Sequence, residues 1–182
     1  MKILITGGAG YLGSAIVPKL VKKNFHVTVL DNLLFKQFTL HEMFKYDNFD
    51  FILEDVKNFE KVNKLAKDFD LIIPLAGLVG APVCDLHPLD AVKINQNSVE
   101  ELCNYLPKTT KIIIPVTNSG YGISQPDEIC TEETKLNPIS IYGKTKVAAE
   151  KITLQRGNSI SFRLATVFGV TSRMRTDLLV NN

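Results

Sequence analysis

The residues Gly7-Gly8-Ala9-Gly10-Tyr11-Leu12-Gly13 hold two overlapping glycine patterns, Gly8-x-Gly10-x-x-Gly13 and Gly7-x-x-Gly10-x-x-Gly13. Chemistry asks for glycine here because any side chain would hold a diphosphate away from the backbone. The free N–H groups where the next helix starts, around Tyr11 and Leu12, would then face the phosphates, aided by the helix dipole. Gly13 permits close helix–strand contact. Glycines often only make turns, but this run follows a strand, opens a helix and is answered by Asp31, 18 residues after Gly13. That context is the dinucleotide fingerprint. Asp31, ending the second strand, could accept hydrogen bonds from both adenosine ribose hydroxyls and would repel a 2′-phosphate. The nearest cation, Lys36, lies five residues on, so NAD is expected over NADP. The plain alternative is a solvated turn aspartate. Further along, Tyr142 and Lys146 stand four apart, neighbours on one helical face. A nearby cation favours the phenolate and would lower the tyrosine pKa toward useful acid–base work. Such a pair means little alone; downstream of a dinucleotide turn it gains weight.

Short Ile/Val/Leu runs must position these groups. Strands are expected over 2–6, 26–30, 49–53, 71–75, 111–116 and 159–165. Helices are expected over 11–23, with an irregularity at Pro18, over 58–67, over 88–105, and from an Asn137-Pro138 start to about 155. A weak helical stretch lies near 40–45, a Gly/Pro-rich loop over 76–86 and a polar loop over 118–137. This alternation predicts an α/β fold, a doubly wound parallel sheet in the order 3-2-1-4-5-6.

Composition narrows the options. The 182 residues are 45% hydrophobic and 22% charged, which excludes intrinsic disorder. No apolar run approaches the ~18 residues of a membrane span, and no signal peptide is read at the N-terminus. Net charge is +2 with 21 basic residues dispersed, so neither nucleic acid nor a membrane surface is an expected partner. Cys84, Cys103 and Cys130 form no CxxC and read as reduced thiols of a cytoplasmic protein. His26, His41 and His87 have no metal-ligand spacing, so no metal is expected. Phe35, Phe38 and Phe44 read as packing residues.

Together these motifs resemble the extended short-chain dehydrogenase/reductases, in the NAD-dependent epimerase/dehydratase group that works on nucleotide sugars. The likeness covers essentially the whole chain, through Thr6 to Gly13, Asp31-Asn32, Asp55-Val56, Leu75-Ala76-Gly77, Asn95, Thr117 to Gly122, Tyr142-x-x-x-Lys146 and Arg163 to Gly169. It implies that Asn32, Asp55 and Val56 join Asp31 at the adenosine end of NAD, with Leu75, Ala76 and Gly77 lining the cofactor. Most relatives have Ala at Gly77. Asn95 would steady the long helix and the site. Thr117 would hydrogen-bond the sugar oxygen, Tyr142 would be acid and base, and Lys146 would also hold the nicotinamide ribose. The implied chemistry is hydride transfer from the sugar, usually at C4, to NAD, giving a 4-keto sugar. A homodimer through the helices of Pro88 and Tyr142 is a further implication.

The branch is argued from Thr117-Asn118-Ser119. Dehydratases of the group resemble Thr-Asp-Glu here, since eliminating water needs an acid and a base; Asn118 and Ser119 supply neither. A 4-epimerase is therefore expected, with a reductase, a dehydratase or a non-catalytic dinucleotide-binding fragment as alternatives. Two departures bear on substrate: Thr166 stands where relatives often have Asn, and the chain ends where relatives begin their substrate region. Residues 1–169 are expected to be the NAD-binding domain and 170–182 the start of a substrate region that is largely absent.

Overall fold

A computed structural model describes residues 1–123, 129–178 and 181. Six parallel strands run β1 Lys2–Thr6, β2 His26–Asp31, β3 Phe49–Leu53, β4 Leu71–Pro74, β5 Lys111–Thr117 and β6 Ser159–Leu164. Their order is β3-β2-β1-β4-β5-β6, the doubly wound order expected. The helices are α1 Tyr11–Lys22, α2 Phe59–Ala66, α3 Ala81–Leu86, α4 Pro88–Ala91, α5 Ser98–Tyr105 and α6 Ile141–Arg156.

The strand pleat sorts the core into two layers. Ile3 and Ile5 face one side with Val27, Val29 and the α1 residues Val17 and Val21. Leu4 faces the other with Ile72, Ile112, Val99 and Leu102. Central strands covered on both faces read as continuous apolar runs, which is why β1 and β4 were legible. β6 differs: Ser161 and Arg163 turn toward α6, while Ile160 and Phe162 are exposed.

Five local expectations are corrected. α1 runs unbroken through Pro18. One lost hydrogen bond costs about 1 kcal/mol, and burying Val17 and Val21 outweighs it at about 1.5–3 kcal/mol each. The 76–86 loop closes with α3, and the helix after Pro88 is interrupted by a π segment, Val92–Asn97. Asn137 does not cap α6; Ser140 does, its Oγ accepting from the Gly143 N–H at 3.0 Å. Phe35 and Phe38 are exposed rather than packed, while Phe44, also exposed, meets Phe49 edge-on at 5.4 Å. Of the polar 118–137 loop, residues 124–128 lie outside the described residues, as do 179, 180 and 182 of the C-terminal stretch.

Sheet order fixes where a ligand can sit. The chain leaves β1 toward β2 and β3, then returns to β4 on the other side, so a crevice opens at the carboxyl ends of β1 and β4. Every motif singled out above lies on that rim or just behind it.

Candidate active site

The glycine turn is packed against the protein's own backbone. Gly7, at φ +70°, donates to the Leu30 carbonyl at 2.7 Å, and a Cβ on it would strike the Ala76 backbone. A Cβ on Gly13 would enter the backbone of Gly8. Both glycines are thus demanded by packing. A Cβ on Gly10 would meet only the Gly7 carbonyl, at 3.1 Å, which leaves this glycine as the one facing open space. Gly10 is also the N-cap of α1, with no side-chain cap and no acid in the first turn. The first N–H groups of α1, those of Tyr11 and Leu12 among them, are left to a ligand, and the cradle fits a pyrophosphate.

At the carboxyl ends of β2 and β3 the expected residues come together. Asp31 is pinned, Oδ2 accepting from Ala9 N–H at 3.0 Å and Oδ1 from Leu33 N–H at 2.8 Å. Asn32 donates to Asp55 at 3.0 Å, and Val56 is buried behind them. On the other side of the crevice, Leu75 N–H donates to the Thr6 carbonyl at 2.8 Å and opens the Leu75-Ala76-Gly77 loop. Asn95, from the π segment, is 1% exposed and clasps this loop. Its Oδ1 accepts from Leu78 N–H at 2.8 Å and its Nδ2 donates to the Leu78 carbonyl at 2.9 Å. Asn95 thereby shapes the crevice through Leu78. A Cβ on Gly77 would sit 3.0 Å from Asn95 Oδ1, so alanine here would press on that clasp.

Thr117 and Tyr142 meet at the other end, and Lys146 follows Tyr142 one turn along α6. Thr117 ends β5, and its Oγ1 accepts from Ser119 N–H at 3.1 Å. Burial pushes the Tyr142 phenol above the ordinary tyrosine range, while the adjacent Thr117 hydroxyl and the Arg175 charge pull it back in part. The expectation that Lys146 lowers this phenol is not met; Arg175 is the cation acting on it. Burial alone draws the Lys146 ammonium down to about 8, although part of its side chain still meets solvent. A lysine held below its unfolded pKa costs stability at every pH where the unfolded chain binds the extra proton fully. Below about pH 8 that cost is whole, and it fades as pH rises toward the unfolded value. We expect Lys146→Met to raise stability at pH 7 by about 1–2 kcal/mol, discounted for the exposed part. The gain should shrink by pH 10. Chemical denaturation at both pH values checks this, and a loss of stability at pH 7 would count against it.

Several site-shaping residues were not legible in advance. Glu150, 3% exposed on α6, accepts from Arg163 Nε at 3.0 and 3.1 Å and from Ser161 at 2.6 Å, tying β6 to α6. Arg163 also reaches Tyr121 at 3.4 Å, in the loop after Thr117. Cys84 is buried, its thiol on the Leu78 carbonyl at 3.3 Å and pushed up by burial, so it gains no reactivity. All three cysteines are free. Among the described residues no helix is long and apolar enough to cross a membrane, and no group of ligating side chains could hold a metal.

A parallel sheet in the order β3-β2-β1-β4-β5-β6 with an uncapped glycine turn between β1 and α1 defines a Rossmann-like, doubly wound protein. More narrowly, the chain belongs to the NAD dependent epimerase/dehydratase family, whose family model matches residues 3–180. A UDP-glucose 4-epimerase from Cyamopsis tetragonoloba is 32% identical over 162 residues, which are 82% of this chain and 45% of that protein. An inverting UDP-N-acetylglucosamine 4,6-dehydratase from Campylobacter jejuni is 25% identical over 171 residues, 93% of this chain and 47% of that one. The chain thus spans about half the length of the curated relatives it matches. Among solved structures, UDP-glucuronic acid 4-epimerase from Bacillus cereus, in complex with UDP-glucuronic acid and NAD, superposes with a TM-score of 0.83 at 28% identity. That match covers 98% of this chain and 60% of that one.

Proposed function

We propose that this chain binds NAD across the carboxyl ends of β1 and β4 and carries the proton-handling half of a nucleotide-sugar 4-epimerase. The reading is carried by Thr117 set beside the Tyr142 phenol, with Lys146 one turn further along α6, and by the bare start of α1 and the pinned Asp31 across the switch point of the sheet. NAD, when bound, supplies the hydride acceptor and donor. Tyr142 Oη takes the proton of the sugar hydroxyl and later returns it. Thr117 Oγ1 donates to that same oxygen and holds it in line. Lys146, close to losing its own proton, stands one helical turn from the phenol and fixes the ribose side of the pocket. The 4-epimerase branch is preferred to a dehydratase because Asn118 and Ser119, following Thr117, offer no carboxylate for eliminating water. The epimerase relatives support the same branch. A nucleotide sugar is the proposed substrate, a homodimer through α5 and α6 the proposed assembly, and the cytoplasm, which keeps thiols reduced, the proposed compartment.

Isothermal calorimetry tests the cofactor end; with no tryptophan in the chain, intrinsic quenching is no substitute. NADH should bind at least about tenfold tighter than NADPH, because Asp31 faces the 2′ position. Equal affinities would remove the role given to Asp31, and binding of neither would remove the reading.

A further inference from the structure

The cation nearest Asp31 along the sequence is Lys36, yet the structure brings a different one to it from the far end of the chain. Beyond β6 the chain turns back over the start of α1. The Tyr11 hydroxyl donates to the Gly169 carbonyl at 2.7 Å. Asn181 locks the return, its Nδ2 donating to Tyr11 Oη and to the Arg175 carbonyl, both at 3.1 Å, and its Oδ1 accepting from Gly169 N–H at 2.9 Å. Two arginines are carried across the crevice in this way. Arg175 is held by Asp177 through Nε at 2.8 Å and Nη2 at 2.5 Å, toward the Tyr142 end.

Among the described residues Arg173 makes no ion pair of this kind, although the charge of Asp177 is felt there too. Its guanidinium lies over the Phe35 ring, with Cζ 3.9 Å from the centroid. It is close enough to Asp31 for that carboxylate's charge to be felt. Among the described residues its Nε, shut off from solvent, has no hydrogen-bond partner. Buried polar atoms are almost always paired, so an orphan donor on a guanidinium leaves room for an anionic partner. Phe35, 58% exposed, makes a platform that costs apolar surface unless something uses it. A planar cationic fork stacked on an exposed ring, within range of Asp31 and on the strand-end side that carries the uncapped start of α1, suits a phosphate.

We propose that Arg173 is a phosphate-binding residue for the dinucleotide, its guanidinium steadied on Phe35 and taking the adenosine-side phosphate of the pyrophosphate offered by the start of α1. This rests on the NAD reading above. The pyrophosphate is preferred to a 2′-phosphate as the target because Asp31 stands beside the ribose and would repel the latter. The reach of the site therefore extends past β6, into the stretch after Gly169.

The test is calorimetry on the full chain with NADH, ADP, 2′,5′-ADP and adenosine as probes. Arg173→Gln should weaken NADH and ADP about tenfold while adenosine binds as before and the unfolding midpoint stays put. Arg173→Lys, which keeps the charge and loses the fork, should recover part of that loss, and Phe35→Ala should lose about threefold in the same direction. Unchanged ADP binding by Arg173→Gln overturns the assignment; so does a loss confined to 2′,5′-ADP, or one shared equally by adenosine. A wild-type chain that binds neither NADH nor ADP removes the NAD reading together with this one, whereas wild-type binding with an indifferent Arg173→Gln removes this one alone.

Discussion

Replacing Tyr142 by phenylalanine is expected to lower nucleotide-sugar turnover by about 10²–10⁴ while leaving NADH affinity within about twofold. The substitution removes one hydroxyl and keeps the ring that packs against Leu78, Cys84 and Ala91, so the crevice keeps its shape. The wild-type pH profile should carry the signature. Burial holds the phenol above the ordinary range, so at neutral pH only a small fraction is ionised and the rate should climb as pH rises. The climb should bend over as Lys146 gives up its proton near pH 8. In Tyr142→Phe the rising limb disappears. Kinetics with UDP-sugars from pH 6 to 10, on a chain that turns them over, read both effects. A surviving limb would move the acid–base role to another group, and lost NADH binding would show that the ring and not the hydroxyl had been doing the holding.

What could be read ahead of the structure follows a physical rule. Central strands covered on both faces, such as Lys2–Thr6 and Leu71–Pro74, announce themselves because their interiors, Ile3-Leu4-Ile5 and Leu71-Ile72-Ile73, are unbroken apolar runs. The glycine turn, Asp31, Thr117, Tyr142 and Lys146 could be nominated from the sequence because local geometry places them, at strand ends and in the first turns of helices. Residues whose roles depend on distant partners were not. Glu150 looks like any surface acid on a helix until Arg163 and Ser161 of β6 close over it. Arg173 and Asn181 have no local signal at all, because Tyr11 and Phe35, which receive them, lie more than a hundred residues away. Ser140 was obscured by a competing signal, since Asn137-Pro138 has the right residue types three positions early. The π segment left no trace in an otherwise helical pattern, yet it carries Asn95, whose side chain clasps Leu78.

The same distinction between local and tertiary demands separates the glycines, and it predicts the largest loss. Gly13→Ala is expected to cost about 2–4 kcal/mol and to weaken NADH at least about a hundredfold. The added methyl enters the backbone of Gly8, and Gly8 cannot yield, because the space on its own Cβ side is filled by Val29 at 2.7 Å in the core of the sheet. α1 must therefore move away from β1, taking its uncapped N–H groups out of line with the phosphates. Gly10→Ala should behave differently. Its φ of −76° suits alanine, and its methyl meets one carbonyl at 3.1 Å, so stability should change by less than about 1 kcal/mol while NADH still weakens. Denaturation midpoints and calorimetry on the two variants separate a glycine required by packing from one required by the ligand. Equal destabilisation by both would erase that distinction, and normal NADH binding by Gly13→Ala would mean that the start of α1 is not where the phosphates are held.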